Sequence, residues 1–314
     1  MQKISSNLTL SWSGFLFILL AVFCLTPYVS PPIALLMGII VAQVLHHPYE
    51  KLAKRSIHFL LQFSVVGLGF GMNVTAALQA GSEGFMFTVV SILGTLTFGL
   101  LLGKILKIEK IISYLISGGT AICGGSAIAA LTPVIRANEK QVSVALGVIF
   151  ILNSVALFVF PAAGHFLHMS QNDFGLWCAI AIHDTSSVVG AAAKYGDEAL
   201  QVATTVKLAR ALWIIPLSLI SAGIFKSKDA KIKIPYFIGL FVVAILVNTY
   251  VPGVQTISPY IVMISKAGLT LTLFLIGSGL SWTLLKAVGH RPVVQGTILW
   301  VAISVLALAA ILYF

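Results

Sequence analysis

The stretch "ISGGTAICGGSAIAALTPVI", residues 116–135, is apolar enough to lie in lipid, yet it carries two glycine pairs, Gly118–Gly119 and Gly124–Gly125. Thr120, Ser126, Thr132 and Pro133 sit among them. Glycine costs a helix interior roughly 1 kcal/mol relative to alanine, and proline costs more. In hydrocarbon, a backbone break is tolerated only where it is buried in protein or lines a wet cavity. Close helix packing is the plainer role for small residues in a membrane. Paired glycines do more than smooth a helix face, and the sequence favours a break within 118–126.

The surrounding chain supports a membrane setting. Of 314 residues, 59% are hydrophobic and 9% charged, and the mean hydropathy is +1.04. Soluble domains carry about 25% charged residues. This composition implies an all-α polytopic membrane protein, since the short alternating segments of a barrel are absent. Turn and charge clusters delimit about eleven transmembrane segments: 12–28, 31–45, 58–80, 84–103, 111–134, 141–160, 174–194, 198–224, 234–250, 259–285 and 292–312. Residues 1–30 resemble a secretory signal, with Lys3 ahead of an apolar run from Phe15 to Leu25. No A-x-A cleavage site follows, so an extra, retained N-terminal helix is expected. The net charge is +10. In short loops that excess fits positive-inside topology and needs no nucleic acid.

A cytoplasmic N-terminus places Lys51, Lys54, Arg55, Lys104, Lys107, Lys110, Lys226, Lys228, Lys231, Lys233, Lys286 and Arg291 inside. Arg136, Lys140 and Lys194 then face outside. The discordant loop "RANEK" (136–140) leaves a second topology open, in which segments five and seven are re-entrant hairpins. Charge alone does not choose between the two.

Two internal echoes occur: "GFGMNVT" (69–75) with "GSGLSWT" (277–283), and "AICGGSAIAA" (121–130) with "AIHDTSSVVG" (181–190). They nest rather than run in tandem. A pairing of 31–160 with 174–312 fits two inverted five-helix repeats in one membrane domain, and it sets "ICGGSA" beside "LIGSGL" (275–280). Broken helices of such repeats cross near the midplane in secondary transporters.

Among the acidic residues only Asp184 sits mid-span, within "HDTSS" after His183 and before Thr185, Ser186 and Ser187. An ionisable group there costs roughly 2.5–3.5 kcal/mol on insertion scales and needs a partner or water. Lys207 and Arg210 lie mid-span on one face of the eighth segment. With Lys266 as a further candidate, interior cations outnumber the carboxylate. That surplus suits an anion, and arginine offers a planar fork to oxyanions. Where the glycines interrupt the helix, its second half would add free N–H groups and a positive dipole end, beside the hydroxyls of Thr120 and Ser126. Asn73 and Asn153 are expected to bond between helices, with a binding role as the alternative; Gly277 and Gly279 are further candidates. "GLGFG" (67–71) lacks the strand–turn–helix context of a nucleotide loop. Cys24, Cys123 and Cys178 read as apolar packers, without disulfide or metal spacing. His46, His47, His165 and His168 are assigned no site. No cofactor motif is present.

The segments "GGTAICGGSAIAALTPVI" (118–135), "AIHDTSSVVGAA" (181–192) and "VKLARALWIIP" (206–216) resemble the signature segments of the YeiH-type sulfate exporter family. These are bacterial inner-membrane proteins grouped with cation:proton antiporter and bile-acid symporter type transporters. The resemblance covers nearly the whole chain. It implies inverted repeats with two crossed, broken helices, supports the spanning topology, and raises the expectation of an anion substrate.

The resulting expectation is a secondary active transporter, not an enzyme, that exports a small anion such as sulfate, sulfite or an organic sulfonate by alternating access. Thr120, Gly124, Gly125, Ser126, Thr185, Ser186, Lys207 and Arg210 are the expected binding residues. His183 and Asp184 would carry or gate a proton, since imidazole titrates near neutral pH. The expected partners are that anion, the lipid bilayer and protons, with a homodimer as a compatible assembly. A cation/proton antiporter using Asp184 and Lys207 is the alternative. An intramembrane hydrolase with a Ser126–His183 dyad is a remote one, for it lacks the G-x-S-x-G elbow.

Overall fold

The computed structural model describes residues 12–44, 49–225, 236–280 and 288–313, and among them every regular element is helical. The helices are α1 (Trp12–Phe23), α2 (Pro31–Val44), α3 (Glu50–Leu68), α4 (Val74–Ile105), α5 (Lys110–Ala121), α6 (Gly125–Ile135) and α7 (Glu139–Phe166). They continue with α8 (Gln171–Ala181), α9 (Thr185–Tyr195), α10 (Asp197–Ala211), α11 (Ile214–Ile224), α12 (Tyr236–Tyr250), α13 (Val254–Ser278) and α14 (His290–Tyr313). His46, His47, the lysines of the 226–233 loop, Lys286 and the end of the "GSGLSWT" echo lie outside the described residues, as do residues 1–11.

Among the described residues, five helices are long and apolar enough to cross a membrane: Gly84–Ile105, Glu139–Phe166, Asp197–Ile224, Val254–Ser278 and His290–Tyr313. A sixth candidate is the pair Ser56–Gly71 and Val74–Ser82, bent by 111°. Segment 58–80 is therefore not the single straight span expected. It turns at Met72–Asn73, where Asn73 caps α4 by accepting the Ala76 N–H at 2.8 Å. Helices α10 and α11 run on as one span across Leu212–Trp213.

Segments five and seven each fold back on themselves. On a straight helix, residues 118 and 131 would stand about 20 Å apart. Instead, a Cβ placed at Gly118 would meet Leu131 Cδ1 at 2.7 Å, and one at Gly119 would meet Ile128 Cδ1 at 3.1 Å. Helix α6 thus lies back along α5, and Gly118 and Gly119 make room for its side chains. In the second case, residues 174 and 195 would be about 30 Å apart on a straight helix, yet Phe174 and Tyr195 stack with ring centroids 3.7 Å apart. The Tyr195 hydroxyl donates to the Met169 carbonyl at 2.7 Å. The crossed broken helices implied by the resemblance are therefore replaced by two helical hairpins, α5–α6 and α8–α9.

This resolves the discordant charges of "RANEK". A hairpin returns Arg136 and Lys140 to the side that carries Lys104, Lys107 and Lys110. Helix α7 then crosses, so that α8–α9 enters from the opposite face. The two tips meet in between: a Cβ at Gly124 would lie 3.2 Å from both Cα and Cβ of Asp184.

The helices sort into two bundles. Helix α13 packs along α2 and α3, with α1 against α13 and α12 against α3. Gly38 and Gly277 let α2 and α13 approach backbone to backbone, since a Cβ at either would strike the other helix's carbonyls. The second bundle holds both hairpins, packed with α4, α7, α10, α11 and α14. The bundles touch mainly where α9 meets α13 and α2. At Gly190 that seam is lined by Leu157, Leu273 and Pro31.

Candidate functional site

The glycines and polar residues of the two tips decide what gathers at the centre. Helix α5 ends with Gly124 N–H bonded to the Gly119 carbonyl at 2.8 Å. Gly124 then takes φ 62°, ψ −122°, a conformation that side chains exclude, and α6 begins. The echo partner 181–184 makes the corresponding turn between α8 and α9, with Asp184 in the capping position. The "AICGGSAIAA"/"AIHDTSSVVG" echo is thus the one whose members meet, rather than "ICGGSA" and "LIGSGL".

Four half-helix ends converge here, and a helix end carries roughly half a unit charge, negative at the C-terminus and positive at the N-terminus. Lys207 Nζ donates to the carbonyls of Ile182 (2.7 Å) and Ala179 (3.2 Å) and so occupies the negative end of α8. Arg210 Nε donates to the Ala121 carbonyl at 2.7 Å, at the negative end of α5. The Asp184 carboxylate accepts the N–H of Ser186 at 3.1 Å and bonds the Ser186 hydroxyl, capping the positive end of α9. The N-terminus of α6 has no side-chain cap. From the middle of α7, Asn153 Oδ1 accepts the N–H groups of His183 (3.2 Å) and Asp184 (3.3 Å) and holds the second tip in place.

Several groups in this cluster are buried without a hydrogen-bond partner among the described residues. They are both terminal nitrogens of Arg210, Nδ2 of Asn153, Oγ1 of Thr120 and both ring nitrogens of His183. Arg210, Lys207 and Thr120 are 0% exposed. Asp184 forms no ion pair with either cation among the described residues, where the ion pair present is Lys266–Asp197. A buried, unpaired guanidinium is costly, and its free donors match a planar or tetrahedral oxyanion.

Other expected site residues lie elsewhere. Ser126 is exposed; its hydroxyl donates to the Cys123 carbonyl at 3.0 Å and stands 2.7 Å from Cys123 Sγ, because the first turn of α6 aims it out of the cluster. No Ser126–His183 dyad forms. Gly125 faces Leu146 and Phe150, and Ser186 is bonded to Asp184. Thr185 is buried as the first residue of α9. Asn73 is an exposed helix cap. Lys266 pairs with Asp197 at 2.6 Å, beside a crevice of ≈ 320 Å³ between the bundles. Gly277 serves helix packing and Gly279 ends α13. The carbonyls of Ala121, Ala179 and Ile182 were invisible to a reading of side chains, although the cations opposite them were not.

These features define a multi-pass helical membrane protein with a charged site enclosed between two opposed hairpin tips. The chain belongs to the family described as conserved hypothetical protein 698, whose model matches residues 8–296. It is 55% identical over 288 residues to a UPF0324 membrane protein of Bacteroides thetaiotaomicron, covering 91% of this chain and 87% of that protein. A UPF0324 membrane protein of Shewanella oneidensis is 50% identical over 299 residues, covering 95% of each chain. One from Porphyromonas gingivalis is 50% identical over 291 residues, covering 91% of this chain and 88% of the relative. No solved structure matches.

Proposed function

We propose that the protein is a secondary active transporter of a small oxyanion, held at the meeting point of the hairpin tips. The observation that carries this reading is the set of buried donors without partners: the Arg210 fork, Asn153 Nδ2 and Thr120 Oγ1. Gly124, which opens the uncapped α6, packs on Asp184, and Arg210 bonds the Ala121 carbonyl just ahead of it. Sulfate, sulfite and organic sulfonates are the substrates to try first. The seam along α9 supports alternating access by displacement of the hairpin bundle against the other. Placement in a bacterial inner membrane with the N-terminus in the cytoplasm accords with the basic residues gathered on the entry side of α5–α6.

The test uses purified wild-type protein with a panel of oxyanions, read as thermal stabilisation in detergent and as flux in proteoliposomes. Arg210→Lys, which keeps the charge but loses the fork, and Thr120→Val should each abolish the stabilisation. Lys104→Ala, on an exposed helix end, should leave it intact. Sodium-driven proton movement with no anion requirement would instead establish the antiporter and refute this proposal.

A further inference from the structure

The charges at the tips also set the valence of the ligand, an inference that rests on the oxyanion reading above. The four converging helix ends contribute two positive and two negative partial charges, which cancel. Three of them already face a side chain of opposite sign: α8 faces Lys207, α5 faces Arg210 and α9 faces Asp184. The fourth, the start of α6, has no side-chain cap, and Gly124 there packs on the backbone and Cβ of Asp184, whose carboxylate is bonded to Ser186. Two cations and one carboxylate leave a surplus of one positive charge in a site whose polar side chains are almost wholly buried: Arg210 and Thr120 at 0%, His183 at 1%, Asn153 at 3%. Low-dielectric surroundings make any departure from neutrality expensive.

We infer that the site accepts one net negative charge, either as a small monovalent oxyanion seated at the start of α6 or as a divalent one that brings a proton to Asp184. In the first case the complex is neutral as it stands. In the second, the carboxylate takes up one proton from water, the side-chain surplus rises to two, and the dianion balances it. Few-atom ligands are favoured because the tips touch, with Gly124 packed on Asp184 and Ile149.

The groups facing Asp184 are accounted for on each element. His183 precedes it; Lys207 and Arg210 face the tips from α10; Cys123 lies at the opposite tip and Cys178 on α8. Helix α7 presents Asn153. Helices α2 and α13 pack on α9 through Pro31 and Leu273, while Lys266 of α13 is engaged by Asp197.

Titration calorimetry on the purified full chain tests this, run at one pH in buffers of different ionisation enthalpy so that protons are counted. Nitrate and methanesulfonate are the monovalent probes; sulfate and thiosulfate are the divalent ones. The monoanions should bind with no proton exchange, and the dianions should bind with uptake of about one proton. Asp184→Asn keeps an oxygen to cap α9 but removes the negative charge. It should tighten sulfate by on the order of tenfold or more and abolish the proton uptake. Sulfate binding to wild type without proton uptake, and no more weakly than methanesulfonate, would overturn the valence inference while leaving the oxyanion site standing. Failure of all four probes to bind wild type would overturn both.

Discussion

Of the two glycines at the first tip, Gly124 should resist replacement by alanine and Gly125 should tolerate it. Gly124 holds φ 62° and ψ −122°, outside the regions open to side chains. Forcing alanine into such a conformation costs about 1–3 kcal/mol. Its Cβ would also sit 3.2 Å from Asp184 Cα, Asp184 Cβ and Ile149 Cγ2, so the tips would have to move apart by a few tenths of an ångström. Together these place Gly124→Ala at roughly 2–4 kcal/mol of destabilisation, within the range for strained and overpacked sites. At Gly125 the nearest atoms to a new Cβ are Leu146 Cδ2 at 3.5 Å and Phe150 at 3.8 Å, ordinary contact distances. Alanine is also the better helix former, by at most about 1 kcal/mol and less at a first helical position. Gly125→Ala should therefore be neutral or slightly stabilising. Thermal unfolding of both purified variants in one detergent, read by reactivity of the buried Cys24, Cys123 and Cys178, compares them directly. Equal shifts for the two variants would refute the tip geometry and the site built on it.

Two further outcomes follow from the fold. Single cysteines at Lys107 and Arg136 should be labelled by an impermeant thiol reagent from the same side of the membrane, and cysteines at His168 and Lys194 from the other; opposite labelling at Lys107 and Arg136 would mean that 110–135 crosses. Gly38→Ala should destabilise the α2–α13 pair by several kcal/mol, since its methyl would strike the Phe274 carbonyl. Measured in the same unfolding assay, a neutral result would deny the close backbone approach.

Hydropathy revealed where apolar segments lie but not which ones cross. A hairpin of two short apolar helices and a single broken span present the same run of hydrophobic residues, and residues 116–135 fit either. Charge hinted at the hairpin, since Lys110 and Arg136 flank the segment with the same sign, but it did not choose, because both topologies return the 225–233 loop to the cytoplasm. Lys207, Arg210, His183 and Asp184 were legible as a cluster because lipid tolerates such groups only with partners. The partners of Lys207 and Arg210 are backbone carbonyls contributed by another stretch of chain, which no residue pattern encodes. Ser126 was misplaced because its orientation depends on the phase of α6, fixed only once the turn at Gly124 is known. Lys266 was misread because Asp197, its partner, is distant in sequence and close only where the start of α10 faces α13 of the other bundle.

The bond from Arg210 to the Ala121 carbonyl spans 89 residues of chain. At a synthesis rate of roughly 5–20 residues per second, the end of α5 emerges about 4–18 s before the arginine that closes the tip. The end of α5 must be satisfied by water or by the insertion machinery throughout that interval. Hairpin closure is thus a late event in biogenesis, which waits for α10. A ribosome stalled between residues 135 and 210 would leave a membrane intermediate with its first tip still wet.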